Sequence, residues 1–205
     1  MTATQLRKQP TASQPIPSTL IHEIIDGKPV YLKNYKEVLS GDKTIEEIMG
    51  SSTLQSMIIE FVLRQLFRKL DENKYHILTN EQGLHLDKGN NLSGDITIFE
   101  SKDLPLSAGN KHYAQVAPLI DIEVDVDIDT ENFDSPESYI FIKTQKLLNF
   151  GVKKVLWIST SSKKVIVATP NENWQIIDWN KDIEIHDGIM INIGNYLREG
   201  GSPFA

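Results

Sequence analysis

Residues Ile120 to Asp129 read Ile-Asp-Ile-Glu-Val-Asp-Val-Asp-Ile-Asp, acids and aliphatics alternating without a break. In an extended chain that period puts all five acids on one face. At about 3.3 Å per residue the outer two stand roughly 27 Å apart, so only two or three neighbours can share one cation. Asp125 to Asp129 run toward the following loop and read as a solvated face. Glu123 is different, because it lies in the Ile/Val-rich part of the segment, where a central strand is ordinarily apolar on both sides. The preceding strand, Gly94-Asp95-Ile96-Thr97-Ile98-Phe99, also brings one acid into apolar company. Two carboxylates on successive strands offer hard oxygen ligands for Mg²⁺ or Mn²⁺, with water and a substrate phosphate completing the shell. Asp after Gly is also common turn chemistry, so the pair alone is a weak signal.

A lysine completes the set. On the helix expected from Pro136 to Phe150, with Ile140 at the centre of the apolar face, Leu147 falls about 20° away and Lys143 about 60°. Lys146 falls about 120° away, near the edge of that face. A lysine on an inward face either snorkels to the helix flank or meets buried carboxylates, and periodicity does not choose between them.

The elements that must position these residues follow from local signals. Asp26-Gly27, between the apolar segments of LIHEIIDGKPVYLK, marks a β-hairpin whose turn needs positive φ. A helix opened by Ser51, Ser52 or Thr53 runs to about Leu70, with Leu54, Ile58, Phe61, Val62 and Leu66 on one face. On it Glu60 points about 160° from Ile58 and reads as solvent-facing. KYHILT, GLHLD, GDITIFE and APLIDIEVDVDI read as strands, separated by turns over 88–93 and 101–110. Asp134-Ser135 caps the second helix, Pro136 occupies its first turn and Gly151 ends it. KKVLWIST, KKVIVATP and WQIIDW are further short strands, and INIGNYLRE a last short helix. That order describes an α/β (α+β) fold, a mixed sheet flanked by helices, with a hairpin at its start. Residues 1–18, rich in Pro, Ser and Thr, read as a disordered arm, and 19–205 as one domain.

The 205 residues contain no cysteine, which excludes disulfides, thiolate zinc sites and a cysteine nucleophile. No apolar run reaches the roughly 20 residues of a membrane span, and the N-terminus lacks a signal-peptide core, so a cytoplasmic location is expected. The net charge of −7 opposes general polyanion binding, although carboxylates around a divalent cation lower the charge without repelling a phosphate once the metal is bound. The five histidines show no ligand spacing, and neither a P-loop nor a Gly-x-Ser-x-Gly elbow occurs. Lys153-Lys154 and Lys163-Lys164 bracket a hairpin and are solvated turns or phosphate contacts. Trp157, Trp174 and Trp179 sit among strand residues, as core or dimer-interface aromatics do.

Gly94-Asp95-Ile-Thr-Ile, Pro118-Leu-Ile-Asp-Ile-Glu123-Val, Lys143 with Leu147, and Asn149-Phe-Gly-Val152 leading into Val155-Leu-Trp-Ile158 together resemble the core of the Uma-two family of restriction-endonuclease-like proteins, within the PD-(D/E)XK nuclease superfamily. The likeness covers roughly residues 20 to 200. It implies a restriction-endonuclease-like fold and a Mg²⁺-dependent endonuclease acting on DNA. Asp95, Glu123 and Lys143 would be catalytic, with Asp95, Glu123 and the Val124 carbonyl as metal ligands. Three departures stand out: Gly94 replaces the motif proline, Asp125 stands where a lysine is common, and Ser52-Thr53-Leu54-Gln55 lacks the histidine relatives often carry there. The alternatives are a catalytically inactive binding or assembly module of the same fold, for instance a homodimer, and a cation-binding domain without catalysis. On this reading Asp95→Asn or Lys143→Ala removes cleavage with little loss of fold, while Asp121 or Asp125 tunes the site from behind.

Overall fold

The computed structural model describes residues 15–205. The arm expected over residues 1–18 therefore lies, up to residue 14, outside the described residues. The chain forms β1 (Ile21–Ile25), β2 (Lys28–Tyr31), α1 (Tyr35–Ser40), α2 (Thr53–Lys69), β3 (Tyr75–Asp87), β4 (Asn90–Glu100), β5 (Ile120–Val124), α3 (Pro136–Phe150), β6 (Lys154–Ser159), β7 (Lys164–Ala168), β8 (Gln175–Asp178), β9 (Ile183–His186), β10 (Ile189–Ile191) and α4 (Ile193–Glu199). Eight strands make a mixed sheet in the order β2-β1-β4-β5-β6-β7-β8, with β3 paired to β4, while β9 and β10 form a separate hairpin. The fold is mixed α+β, as the sequence indicates.

Local chemistry explains the elements that matter for the site. Asp26 and Gly27 both take positive φ, 51° and 73°, the turn a two-residue hairpin requires. Ser52 caps α2 by accepting from the Gln55 amide at 3.2 Å, and Ser135 caps α3 by accepting from Ser138 at 3.2 Å. The sheet separates two apolar layers. Ile58, Val62 and Leu66 of α2 pack on Ile96, Ile98, Ile120, Ile122 and Val124, whereas Tyr139 and Leu147 of α3 pack with Phe99, Val155 and Trp157 on the opposite face. Alternation along β4 and β5 therefore turns Asp95, Asp121 and Glu123 toward α3. β5 and β6 are parallel, so α3 is the crossover that lays its inward side chains over them.

The acidic run is not one long strand. β5 ends at Val124, and Asp125 takes φ 64° and turns away, its carboxylate accepting from the Thr160 amide and hydroxyl, both at 2.7 Å. Only Asp121 and Glu123 of the five acids share the strand face; the other three lie beyond the strand's end. KYHILT and GLHLD join as one bulged strand, β3, and the turn expected over 88–93 narrows to Lys88 and Gly89. Helix α1 and the β9–β10 hairpin carry weaker signals, although the latter turns on Asp187-Gly188, the same dipeptide that marks β1–β2. Among the described residues, no helix is long and apolar enough to cross a membrane.

Candidate active site

Strands β1, β4 and β5 and helix α3 each send a charged side chain to one place. Lys143, only 1% exposed, puts its ammonium 2.7 Å from Glu123 Oε1 and 2.7 Å from Glu23 Oε1. Snorkelling is thereby excluded for Lys143, because the stem points inward and the charge ends between two carboxylates. The Trp157 and Tyr139 rings lie 5.5 and 5.9 Å from the ammonium and add cation–π attraction. Burial works against the charge on Lys143, but Glu123 and Glu23 outweigh it and hold the lysine well above its usual range, so it stays protonated. Lys146 takes no part: it pairs with Asp26 at 2.6 Å at the hairpin turn.

Glu23 is the principal residue that the sequence reading missed. Its other oxygen accepts from the Tyr139 hydroxyl at 2.9 Å, and Oε1 accepts from the Ser93 amide at 2.9 Å. Desolvation pushes its carboxyl up, yet Lys143, His22 and the Ser93 amide bring it below the usual carboxylate range, so Glu23 is ionised. The signal was present in the sequence, since in β1 Glu23 shares a face with the buried Ile25, an acid on an apolar face.

Asp95 stands in the next strand, its Oδ2 accepting from the Val124 amide at 2.7 Å. Burial raises its carboxyl above the ordinary value, although Val124 and Lys143 pull the other way. Val124 is held from both sides, because its carbonyl accepts from Gln55 Nε2 at 2.7 Å. Gln55 thus brings α2 to the site, from the Ser52 to Gln55 segment that lacks the histidine. The carbonyl keeps one lone pair for another partner.

Asp121 lies deepest. It is fully buried, and neither of its oxygens has a hydrogen-bond partner. Burial drives its carboxyl up to about 7, against the pull of Lys143. Glu123 is pushed well above its usual value by burial too, with Asp121 adding to the rise. Burying two carboxyls side by side favours the protonated form of at least one of them. Glu123 Oε1 sits close to Lys143 but in too bent a geometry for a directed hydrogen bond, and the contact is one of charge.

The departure at Gly94 has a physical reason here. A Cβ at this position would overlap Asp121 Oδ1 and stand 2.8 Å from Thr97 Cγ2. A proline would meet the same obstacle, so glycine at 94 and a buried acid at 121 belong together. Gly94→Ala is expected to cost about 1–3 kcal/mol in chemical denaturation, the range for overpacking a tight core.

Asp121 also yields a pH prediction. Its folded-state value lies above the unfolded one, so its contribution to stability is fully present below pH ~4 and is lost as pH rises toward about 7. Asp121→Asn is isosteric and cannot ionise. Thermal melts are expected to show the variant more stable than the parent at pH 8, on the order of a few kcal/mol, with the difference shrinking to nothing near pH 4.

Asp95, Glu123 and Val124 face an open cleft of about 1250 Å³, whose walls include His22, Gln55, Arg64, Phe67, Arg68 and Glu81. Glu60, read as solvent-facing, is exposed on the α2 wall and pairs with Arg64. Among the described residues, no three His, Asp or Glu side chains group closely enough to cage a cation by themselves. The available donor set is two carboxylates and one carbonyl. Such a partial set suits Mg²⁺ or Mn²⁺, which keep water and substrate oxygens in their shells, and the uncompensated buried carboxylate of Asp121 and Glu123 gives a cation an electrostatic reason to bind.

The fold has a solved counterpart. The chain is similar to the crystal structure of a candidate nuclease belonging to DUF820 from Anabaena variabilis, with a TM-score of 0.61 and 14% sequence identity over 86% of this chain and 89% of that one. No protein-family model and no curated protein matches the chain. At that identity the likeness establishes a shared architecture, a large mixed sheet flanked by helices.

Of the two lysine pairs, Lys153 is exposed and the other three lysines make intramolecular contacts. Lys154 donates to the Ile185 carbonyl at 2.9 Å, Lys163 to the Ala205 carbonyl at 2.9 Å, and Lys164 pairs with Asp178 at 2.6 Å. Trp157 donates to Thr144 Oγ1 at 2.8 Å beneath Lys143, and Trp179 is buried. Trp174 stacks at 5.3 Å on the exposed Phe141.

Proposed function

We propose that the chain is a divalent-metal-dependent endonuclease of the PD-(D/E)XK kind, related to the Uma-two proteins, that hydrolyses phosphodiester bonds of DNA. One observation supports this reading above the others. Asp95, Asp121, Glu123 and Glu23 converge on a single lysine beside an open cleft, an excess of buried carboxylate that a hard cation would balance. The shared architecture with a candidate nuclease agrees with it.

In this proposal Asp95 and Glu123 hold Mg²⁺ or Mn²⁺ at the cleft floor, with the free lone pair of the Val124 carbonyl as a third donor. Bound there, the metal supplies Lewis acidity and lowers the pKa of a coordinated water. The Val124 amide fixes Asp95, and Gln55 fixes the Val124 carbonyl, so two of the three donors are oriented before any ligand arrives. Lys143 holds Glu123 and supplies positive charge behind the scissile group, its own position set by Glu23 and Tyr139.

The net charge of −7 and the acids Glu47, Asp125 and Asp127 on the cleft wall favour the inactive-module reading instead. Incubation with supercoiled plasmid and with circular single-stranded DNA separates the readings. An enzyme nicks or linearises at least one of them with Mg²⁺ or Mn²⁺ and stops in EDTA. A protein that binds Mn²⁺ but cuts neither is a cation-binding domain, and one that does neither is a module built on the nuclease fold.

A further inference from the structure

Two strand irregularities meet above Asp95. In β1 the pairing with β2 slips between Ile21 and Glu23, leaving His22 as an extra residue. In β3 the pairing with β4 slips between Thr79 and Gln82, so that Asn80 and Glu81 together stand opposite Asp95, and both take positive φ, 66° and 52°. Two consecutive left-handed residues, neither of them glycine, are strained. Bulges are over-represented beside active sites, where they re-aim a side chain. Here they aim two at each other: His22 Nδ1 lies 3.6 Å from Glu81 Oε2, bridging from β1 to β3 across the intervening β4.

This bridge lies on the cleft wall that also exposes Asp95, Glu123 and Val124. Lys143 does not line the cleft, and its charge is already matched by Glu23 and Glu123. The other cations on the wall are poor proton donors: Arg64 and Arg68 do not give up a proton, and Lys33 pairs with Asp127 at 3.8 Å. His22 is the imidazole among the described residues of that wall, a side chain able both to donate a proton and to take one back, and the carboxylates of Glu81, Asp95 and Glu23 surround it from three strands.

Resting on the nuclease reading, we propose that His22, positioned by Glu81, is the general acid that protonates the leaving oxygen. Water oxygen forms the new bond to phosphorus, the bond from phosphorus to the leaving oxygen breaks, and the imidazolium proton passes to that oxygen. The attacking water gives its proton to solvent, and the neutral imidazole takes one back.

The leaving group decides the matter. A general acid is needed to expel a sugar alkoxide but not p-nitrophenolate, so DNA and the p-nitrophenyl ester of thymidine 5′-phosphate are compared with the same protein. His22→Gln is expected to lower the rate on DNA by about 10²–10⁴-fold while leaving the p-nitrophenyl ester rate and the calorimetric Mn²⁺ affinity unchanged. Glu81→Gln is expected to show the same selectivity to a smaller degree. Equal losses on both substrates, or no loss on either, would overturn the role, and a fall in Mn²⁺ affinity would make His22 a ligand instead. A parent protein that cleaves neither ester in Mg²⁺ or Mn²⁺ refutes the nuclease reading itself, and the role of His22 goes with it.

Discussion

Lys143→Met is expected to destabilise the protein by about 3–5 kcal/mol at pH 8, because it strips the ammonium that lies between two buried carboxylates and leaves Glu23 and Glu123 to bear their charge in an apolar layer. This revises the expectation that lysine could be removed with little loss of fold. That expectation placed Lys143 on the inward face without fixing its partners, whereas the side chain is 1% exposed and bridges β1 and β5. Urea melts of the single variant and of Lys143→Met combined with Glu23→Gln check the cause. The double variant is expected to regain part of the loss, since one buried charge has gone with its partner. A single variant as stable as the parent would mean that the cluster is neutral without its lysine.

Asp95→Asn is expected to abolish cleavage, by more than about 10³-fold, since a lost metal ligand forfeits several kcal/mol of transition-state stabilisation. The fold should persist. An asparagine oxygen can still accept from the Val124 amide, and burial raises the pKa of the carboxyl it replaces, so removing that charge relieves strain. On the proposed function, the pair of variants therefore separates two roles that sequence alone merges: Asp95 would act at the metal, and Lys143 on both the metal's surroundings and the fold. Cleavage in Mg²⁺ alongside thermal melts of each variant reads both effects.

Much of this arrangement is legible in the sequence because it rests on local rules. Asp26-Gly27 fixes a turn, Ser135-Pro136 starts a helix, Gly151 ends it, and the 3.6-residue period turns Lys143 inward. Period-two alternation likewise sets Glu123 and Asp95 on one face of adjacent strands. What escaped depends on tertiary contact. Alternation continues past Val124 in the sequence, but Asp125 leaves the strand to cap Thr160, a bond that no pattern within the run announces. Gln55 resembles any polar residue in a first helical turn until α2 is laid against the end of β5. Glu23 was visible by the same criterion that singled out Glu123, an acid on an apolar face, but in a hairpin strand, which ordinarily has one wet side, an acid is commonplace. The bulges that bring His22 to Glu81 are matters of register, which neither strand encodes by itself.

Whether Asp95 and Glu123 form a divalent cation site at the cleft floor is read by titrating Mn²⁺ into the protein by isothermal calorimetry. The parent protein is expected to bind one or two ions, with binding lost in both Asp95→Asn and Glu123→Gln while each variant retains a cooperative melt. No heat of binding in the parent, or the same isotherm in parent and both variants, would contradict the account.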